Sequence, residues 1–165
     1  MDNTLKKQKA YKKLGFSYLE TAEIVVVLNK LLANYIVHYH KLRTFHWNVE
    51  GGDFFELHEQ FELEYNEVKE QTDIIAERIR VFGLKPKSTL QKHLNMADIK
   101  EQEKEVSPLE MVHEVLNDFR ILHDSLLDVL NAALESGDTV TEEIITQFMR
   151  RLEKRHWMFT AWSKS

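Results

Sequence analysis

The chain has 165 residues, of which 43% are hydrophobic and 30% are charged, and its formal net charge at pH 7 is −5. This length and composition predict one folded domain that buries a substantial core. The absence of cysteine excludes disulfides, thiolate metal sites and cysteine nucleophiles. No segment approaches the roughly 20 apolar residues of a membrane span, and we expect a cytoplasmic protein with no membrane partner.

Residues 1–18 form a predicted flexible, lysine-rich N-terminal tail, and residues 19–165 form the predicted folded domain. The tail has no apolar run. Its first thirteen residues carry a side-chain charge of +4, because Asp2 is outnumbered by five lysines: Lys6, Lys7, Lys9, Lys12 and Lys13.

The rest of the chain has few residues that break helices, with five Gly and two Pro in total. Long periodic stretches therefore predict helices rather than strands. The first helix is predicted over 19–49 and ends at Gly51 and Gly52. Asp53 is the predicted cap of a second helix over 54–82.

The second predicted helix carries an apolar residue at every seventh position, which indicates a seam packed lengthwise against other helices. Its members are Phe54, Phe61, Val68, Ile75 and Phe82. A polar stretch over 84–106, with a short helix near 89–94, is too long for a turn and is predicted to cross the bundle.

Ser107 and Pro108 are the predicted cap and first residue of a third long helix, over 108–135. A fourth, over 141–161, has Glu142 and Glu143 in its first turn. The predicted fold is therefore all-α: a four-helix bundle with a long crossover that carries a short helix between helices two and three.

Five possible metal ligands follow the same helical pattern: His46, His58, Glu62, Asp73 and Glu77. Each close pair on the second helix is four residues apart and so shares one face. A helical rise of about 1.5 Å per residue separates His58 from Asp73 by roughly 22 Å, whereas metal ligands lie about 2 Å from their ion. One shared site therefore needs two copies of the chain.

The short predicted loop at Gly51 and Gly52 folds the second helix antiparallel to the first, which brings His46 level with His58 and leaves Glu62 one turn deeper. A two-fold axis near Glu67 would then place Asp73 and Glu77 of one chain beside this half site of another. Nitrogen and oxygen donors favour iron, zinc or manganese. The alternative is that these are ordinary solvated charges and that His46 is a packed or capping histidine.

A second possible site uses two E-x-x-H pairs, Glu110 with His113 and Glu153 with His156, the spacing of di-iron bundles that hold both metals within one subunit. Chance surface pairing explains these residues better. Isolated histidines, including His38, are weaker metal candidates still.

These motifs resemble the signature of the Dps family of miniferritins. Three motifs carry the resemblance: His46-Trp47-Asn48, a histidine twelve residues later at His58, and the D-x-x-x-E pair Asp73 and Glu77, which is followed by Arg78. It implies a ferritin-like subunit, a shell of twelve subunits built from two-fold dimers, and ferroxidase centres across the dimer interface.

The resemblance implies that Fe(II) is oxidised, preferably by hydrogen peroxide, and stored as ferric mineral, with Zn or Mn as substitute metals. His46 matches the histidine of the first metal, His58 that of the weaker second position, and Asp73 and Glu77 the carboxylates from the neighbouring subunit. Glu62 stands where many members have aspartate. Trp47 matches an aromatic beside the centre, with packing at the dimer interface as its alternative role.

The resemblance also implies acidic entry channels, for which Asp138, Glu142 and Glu143 are candidates, although helix capping explains the same residues. Family members that bind DNA often use lysine-bearing tails, so the five tail lysines are candidate DNA contacts, and nucleoid association would follow. The tail could instead be solvated or dock on an acidic neighbour. A DNA-condensing structural protein with little ferroxidase activity is the alternative function.

Overall fold

The computed structural model describes residues 18–164, which form five helices and no strand. The helices are α1 (Tyr18–Asn48), α2 (Phe54–Val81), α3 (Leu90–Met96), α4 (Pro108–Ser136) and α5 (Thr139–Trp162). The predicted all-α bundle with a helical crossover is confirmed. Of the predicted tail, residues 1–17 lie outside the described part of the chain, and Tyr18 begins α1. None of the described helices is long and apolar enough to cross a membrane.

A tight turn folds α2 back against α1. Gly51 adopts a φ of 106°, a left-handed conformation that glycine tolerates without steric strain. Asp53 occupies the N-cap position of α2, but the prediction that its side chain caps the helix is wrong. Its φ of −94° and ψ of 12° differ from the extended conformation typical of side-chain caps. The first turn is held by backbone bonds instead, with the Leu57 amide donating to the Asp53 carbonyl at 2.9 Å.

A second hairpin joins α4 to α5. As predicted, Ser107 caps α4, and it forms a reciprocal capping box with Glu110. Gly137, with a φ of 68°, ends α4 in the left-handed conformation. Asp138 then caps α5 by accepting a hydrogen bond from the Thr141 amide at 3.1 Å, which explains why α5 begins two residues before its predicted start.

The crossover is fastened to α1 by buried asparagines. The side-chain carbonyl of Asn34 accepts hydrogen bonds from the amides of Asp98 and Ile99 at 2.8 and 3.2 Å. Asn29 accepts one from the Lys87 amide at 2.8 Å. These bonds satisfy backbone groups that have no helical partner, so the long connection lies in a fixed place along the bundle.

The predicted apolar seam of α2 lies in the core: Phe61, Val68, Ile75 and Phe82 are buried, and Phe54 is partly buried. It packs with apolar residues of the other long helices. These include Leu28, Leu31, Tyr35, Phe45, Val112, Phe119, Leu126, Ile145 and Phe159.

Two buried carboxylates, Asp118 and Glu64, each accept hydrogen bonds from basic side chains of another helix. Asp118 on α4 accepts from His38 Nδ1 and Lys41 Nζ on α1, both at 2.8 Å. His38 is therefore part of a structural ion cluster rather than a metal ligand.

Glu64 on α2 accepts from Arg151 of α5 at 3.0 and 3.1 Å and also from Arg155. Because Glu64 is only 1% exposed, these hydrogen bonds replace the water that its charge loses on folding.

The variant Glu64→Gln should be destabilised by about 3 kcal/mol, because it leaves two arginine side chains without their shared carboxylate in a mostly buried position. Denaturant unfolding would measure the loss. Glu103→Gln, at an exposed position of the crossover, is the control and should change the free energy of unfolding by less than about 0.5 kcal/mol. Equal effects of the two substitutions would contradict this role of Glu64.

The capping box gives a second prediction. Hydrogen bonds from the Ser107 backbone and side chain lower the pKa of Glu110. The variant Ser107→Ala should lose about 1 kcal/mol of stability through the missing cap, and the pKa of Glu110 should rise.

A carboxylate with a lowered pKa stabilises the fold above its ordinary pKa and loses this effect as pH falls through the lowered value. The stability difference between wild type and Ser107→Ala should therefore shrink in acid. NMR titration of Glu110 would follow the pKa, and Ser107→Thr should retain the wild-type behaviour. An unchanged Glu110 pKa in Ser107→Ala would contradict the assignment.

Candidate metal centre

The α1–α2 hairpin places His46, near the end of α1, beside His58, near the start of α2. Their ring centroids are 3.7 Å apart and the rings are nearly parallel, at 20°. This confirms the prediction that the two histidines lie at one level of the bundle. His46 is buried and His58 is partly buried, so the pair sits at the edge of the core.

Reciprocal hydrogen bonds orient the two imidazoles. The Nδ1–H of His46 donates to the His58 backbone carbonyl at 2.7 Å, and the Nδ1–H of His58 donates to the His46 carbonyl at 2.7 Å. A carbonyl oxygen can only accept, so each Nδ1 must carry the proton. In the neutral rings both Nε2 atoms therefore keep a lone pair for a metal, and the backbone bonds fix their direction.

Glu62, one turn beyond His58, completes the group. One ligand atom from each of His46, His58 and Glu62 lies within 4.8 Å of the others. In the part of the chain that the structure describes, this is the one grouping of three or more His, Asp or Glu residues able to hold a metal. Two nitrogen donors and one carboxylate suit iron, zinc or manganese.

Tyr65 also lies at this site, although the sequence analysis did not single it out. Its ring meets the His46 ring edge-on, with centroids 5.3 Å apart. Desolvation raises the pKa of Tyr65, and the negative charge of Glu62 raises it further. The phenol therefore stays protonated beside the histidines. Its position seven residues after His58, on the same helical face, was the signal that could have identified it.

Trp47 is 57% exposed in the subunit and does not pack in its core. The Arg43 guanidinium lies 4.6 Å from the centroid of its ring. This cation–π contact holds the indole on the surface, one residue after His46 in the chain.

Asp73 and Glu77 lie on the same helix as Glu62 but do not join the group. Both side chains are exposed. Because α2 runs without interruption from Phe54 to Val81, the roughly 22 Å expected between His58 and Asp73 persists in the folded chain. One subunit thus brings together three of the five predicted ligands.

The structure does not assemble the E-x-x-H pairs into a site. Glu110 is engaged in the capping box, and His113 is exposed. Glu153 lies 3.9 Å from His123, a different histidine from the predicted partner. The described residues therefore give no support to a metal site inside the bundle.

The predicted channel residues occupy different environments. Asp138 is buried, caps α5 and forms an ion pair with Arg78 at 2.6 Å. Its carboxylate does not face solvent in the subunit, because Arg78 and the Thr141 amide share its Oδ1 and the Thr141 hydroxyl donates to its Oδ2. Glu142 is partly buried, whereas Glu143 is exposed and bonded to Gln147 at 3.3 Å. The five tail lysines lie outside the described residues.

Comparisons with known proteins agree with this architecture. The ferritin-like domain family matches residues 26–164. General stress protein 20U of Bacillus subtilis is 36% identical over 140 residues, which cover 85% of this chain and 97% of that protein. The DNA protection during starvation protein of Brevibacillus brevis is 41% identical over 138 residues, covering 84% and 93% of the two chains.

Solved structures give the same result in three dimensions. The Dps protein of Vibrio cholerae O1, described as one of the ferritin-like diiron-carboxylate proteins, has a TM-score of 0.88 and 34% identity, covering 90% of this chain and 94% of its own. The Dps protein of Bacillus brevis has a TM-score of 0.85 and 39% identity, covering 88% and 98%. The chain therefore belongs to the Dps family of ferritin-like proteins.

Proposed function

We propose that this protein oxidises Fe(II) with hydrogen peroxide at centres shared between two subunits and stores the ferric product inside a shell of twelve. The observation that carries the proposal is the histidine pair, whose Nδ1 atoms are tied to backbone carbonyls while both Nε2 atoms stay available. Iron is the substrate here, and the site's donor set suits it. Zn or Mn would fit the same donors as substitutes.

Within one subunit the site is half of a di-iron centre. It offers two imidazoles and one exposed carboxylate, whereas two iron ions need more anionic ligands. The remaining candidates, Asp73 and Glu77, are exposed and lie too far along α2 to reach the histidine pair of their own subunit. A second subunit supplies them if two α2 helices lie antiparallel.

The exposed side of α2 supports this antiparallel arrangement. Its large exposed hydrophobic residues are Phe55, Leu63, Ile74 and Val81, with exposures of 84%, 50%, 39% and 48%. Phe55 pairs with Val81, and Leu63 with Ile74, about a midpoint near Val68. The ligand pairs His58 with Glu77 and Glu62 with Asp73 share nearly the same midpoint. A two-fold axis there would bury the apolar residues and complete two metal centres together.

The ligands suit a two-electron reaction. Neutral imidazoles retain Fe(II), and carboxylates favour the Fe(III) that forms. Two Fe(II) ions each give one electron to one hydrogen peroxide molecule, its O–O bond breaks, and two protons complete two molecules of water. No one-electron step then releases hydroxyl radical. Trp47, which follows His46 in the chain and is exposed, would intercept a stray oxidising equivalent.

Iron entry through acidic channels is part of the same proposal. Glu143 is the exposed carboxylate of the predicted group and best suits a cation path, with Glu142 partly buried beside it. The carboxylate of Asp138 is held by Arg78, so Asp138 would contribute indirectly, by capping the α5 terminus next to Glu142 and Glu143.

DNA binding through Lys6, Lys7, Lys9, Lys12 and Lys13 is the second candidate function. It is supported by the tail's charge of +4 and by the name of the Brevibacillus brevis relative. Twelve such tails on one shell would act together on a phosphate backbone. Such a protein would work in the cytoplasm, at the nucleoid.

An anaerobic Fe(II) titration tests whether the centre needs two subunits. The double variant Leu63→Lys with Ile74→Lys places like charges opposite each other across the proposed two-fold contact, while both positions are exposed in the subunit. We expect the dimer to dissociate and the affinity for Fe(II) to fall at least tenfold, since Asp73 and Glu77 are then lost from each site.

Leu134→Lys, on α4 and 54% exposed, is the matched control and should keep wild-type assembly and iron affinity. Sedimentation measures the assembly of each variant. The proposal fails if the double variant remains assembled, or if its isolated subunits bind Fe(II) as tightly as the wild type.

A further inference from the structure

A groove between the start of α1 and the end of α4 has no role in the proposed iron chemistry. The two helices are antiparallel, as the Asn34–Ser125 and Lys41–Asp118 side-chain contacts show. The groove has a volume of about 400 Å³. Residues that line it include Glu23, Val26, Val27, Asp128, Ala132 and Glu135.

The groove combines an apolar floor with acidic edges. Val26 is 69% exposed, the largest exposed fraction among the hydrophobic residues of α1 whose side chains are described. Glu23, Asp128 and Glu135 are all exposed around it, and none of the described residues that line the groove is a lysine or an arginine. Among the described residues, no ion pair neutralises these three carboxylates. A ligand for this groove should therefore be both cationic and apolar.

The segment 5–16 of the same chain has this chemistry, with the sequence LKKQKAYKKLGF. Its five lysines match the three carboxylates, and its leucines, tyrosine and phenylalanine match the apolar floor. The rest of the chain carries net negative charge, so a second copy of the folded domain would meet this groove with like charge.

The segment is also within reach. It joins α1 at Tyr18, and Glu23 lies only about 7.5 Å further along that helix. The five residues from Lys13 to Tyr18 can span up to about 17 Å. A chain that turns back at the start of α1 can therefore lay its lysines along the groove. We propose that this groove binds the chain's own N-terminal segment, residues 5–16.

This docking would have a consequence for nucleic acid. The lysines that meet Glu23, Asp128 and Glu135 are the same lysines proposed to meet phosphate, so the groove and DNA compete for them. Neither docking in the groove nor binding to DNA involves the iron centre. The docking can therefore be tested independently of ferroxidase activity.

Because the chain has no cysteine, a single engineered disulfide tests the docking directly. Ala10→Cys leaves all five lysines in place and is combined with Val26→Cys in the groove. The matched control combines Ala10→Cys with Leu134→Cys, an exposed apolar position at the same end of α4 that does not line the groove. Maleimide labelling of the single-cysteine variants first shows that positions 26 and 134 are accessible in the assembled protein.

Under mild oxidation we expect the Val26→Cys pair to form an intrachain disulfide at least tenfold faster than the Leu134→Cys pair. Adding Glu23→Gln, Asp128→Asn and Glu135→Gln should reduce that rate to the control level, because the attraction between lysines and carboxylates is removed. Non-reducing electrophoresis separates intrachain from interchain products. The proposal is overturned by equal rates for the two pairs, by products that link different chains, by a groove cysteine that is inaccessible, or by a rate unaffected by neutralisation.

Discussion

The rigidity of α2 determines the rest of this account. The helix is continuous from Phe54 to Val81 and carries His58 and Glu62 near one end and Asp73 and Glu77 towards the other. No rotamer change closes a gap of roughly 22 Å. In the proposed function these side chains therefore bind metal as two separate halves, and the exposed hydrophobic residues of α2 share the symmetry of the proposed ligands. The proposed chemistry and the proposed assembly of the protein therefore both depend on α2.

Local backbone geometry prepares the histidine half of the site. The turn at Gly51 sets the register in which each histidine reaches the carbonyl of the other. These bonds orient the rings before any ion arrives, so binding need not order two flexible side chains. Behind the site, Glu64 ties α2 to α5 through Arg151 and Arg155. The helix α2, which carries four of the five predicted ligands, is thus bonded to α1 on one side and to α5 on the other.

Much of this organisation follows from the sequence. Apolar periodicity and scarce Gly and Pro predict the long helices, and the hairpin register predicts the contact between His46 and His58. Local signals were less reliable at helix ends: Ser107 caps as expected, whereas Asp53 has a backbone conformation unsuited to side-chain capping. The roles of His38, Asp138 and Glu64 depend on partners 60 to 91 residues away, at Asp118, Arg78, Arg151 and Arg155. No local pattern identifies such partners.

Subunit mixing tests the central claim most directly. His46→Ala and Asp73→Asn should each abolish peroxide-dependent Fe(II) oxidation, since each breaks every centre of its own shell. When equal amounts of the two variants co-assemble at random, half of the two-fold dimers contain one of each, and each mixed dimer has one intact centre. We therefore expect about a quarter of the wild-type rate to return. No recovery on mixing, or full activity in either variant alone, would contradict a centre shared between subunits.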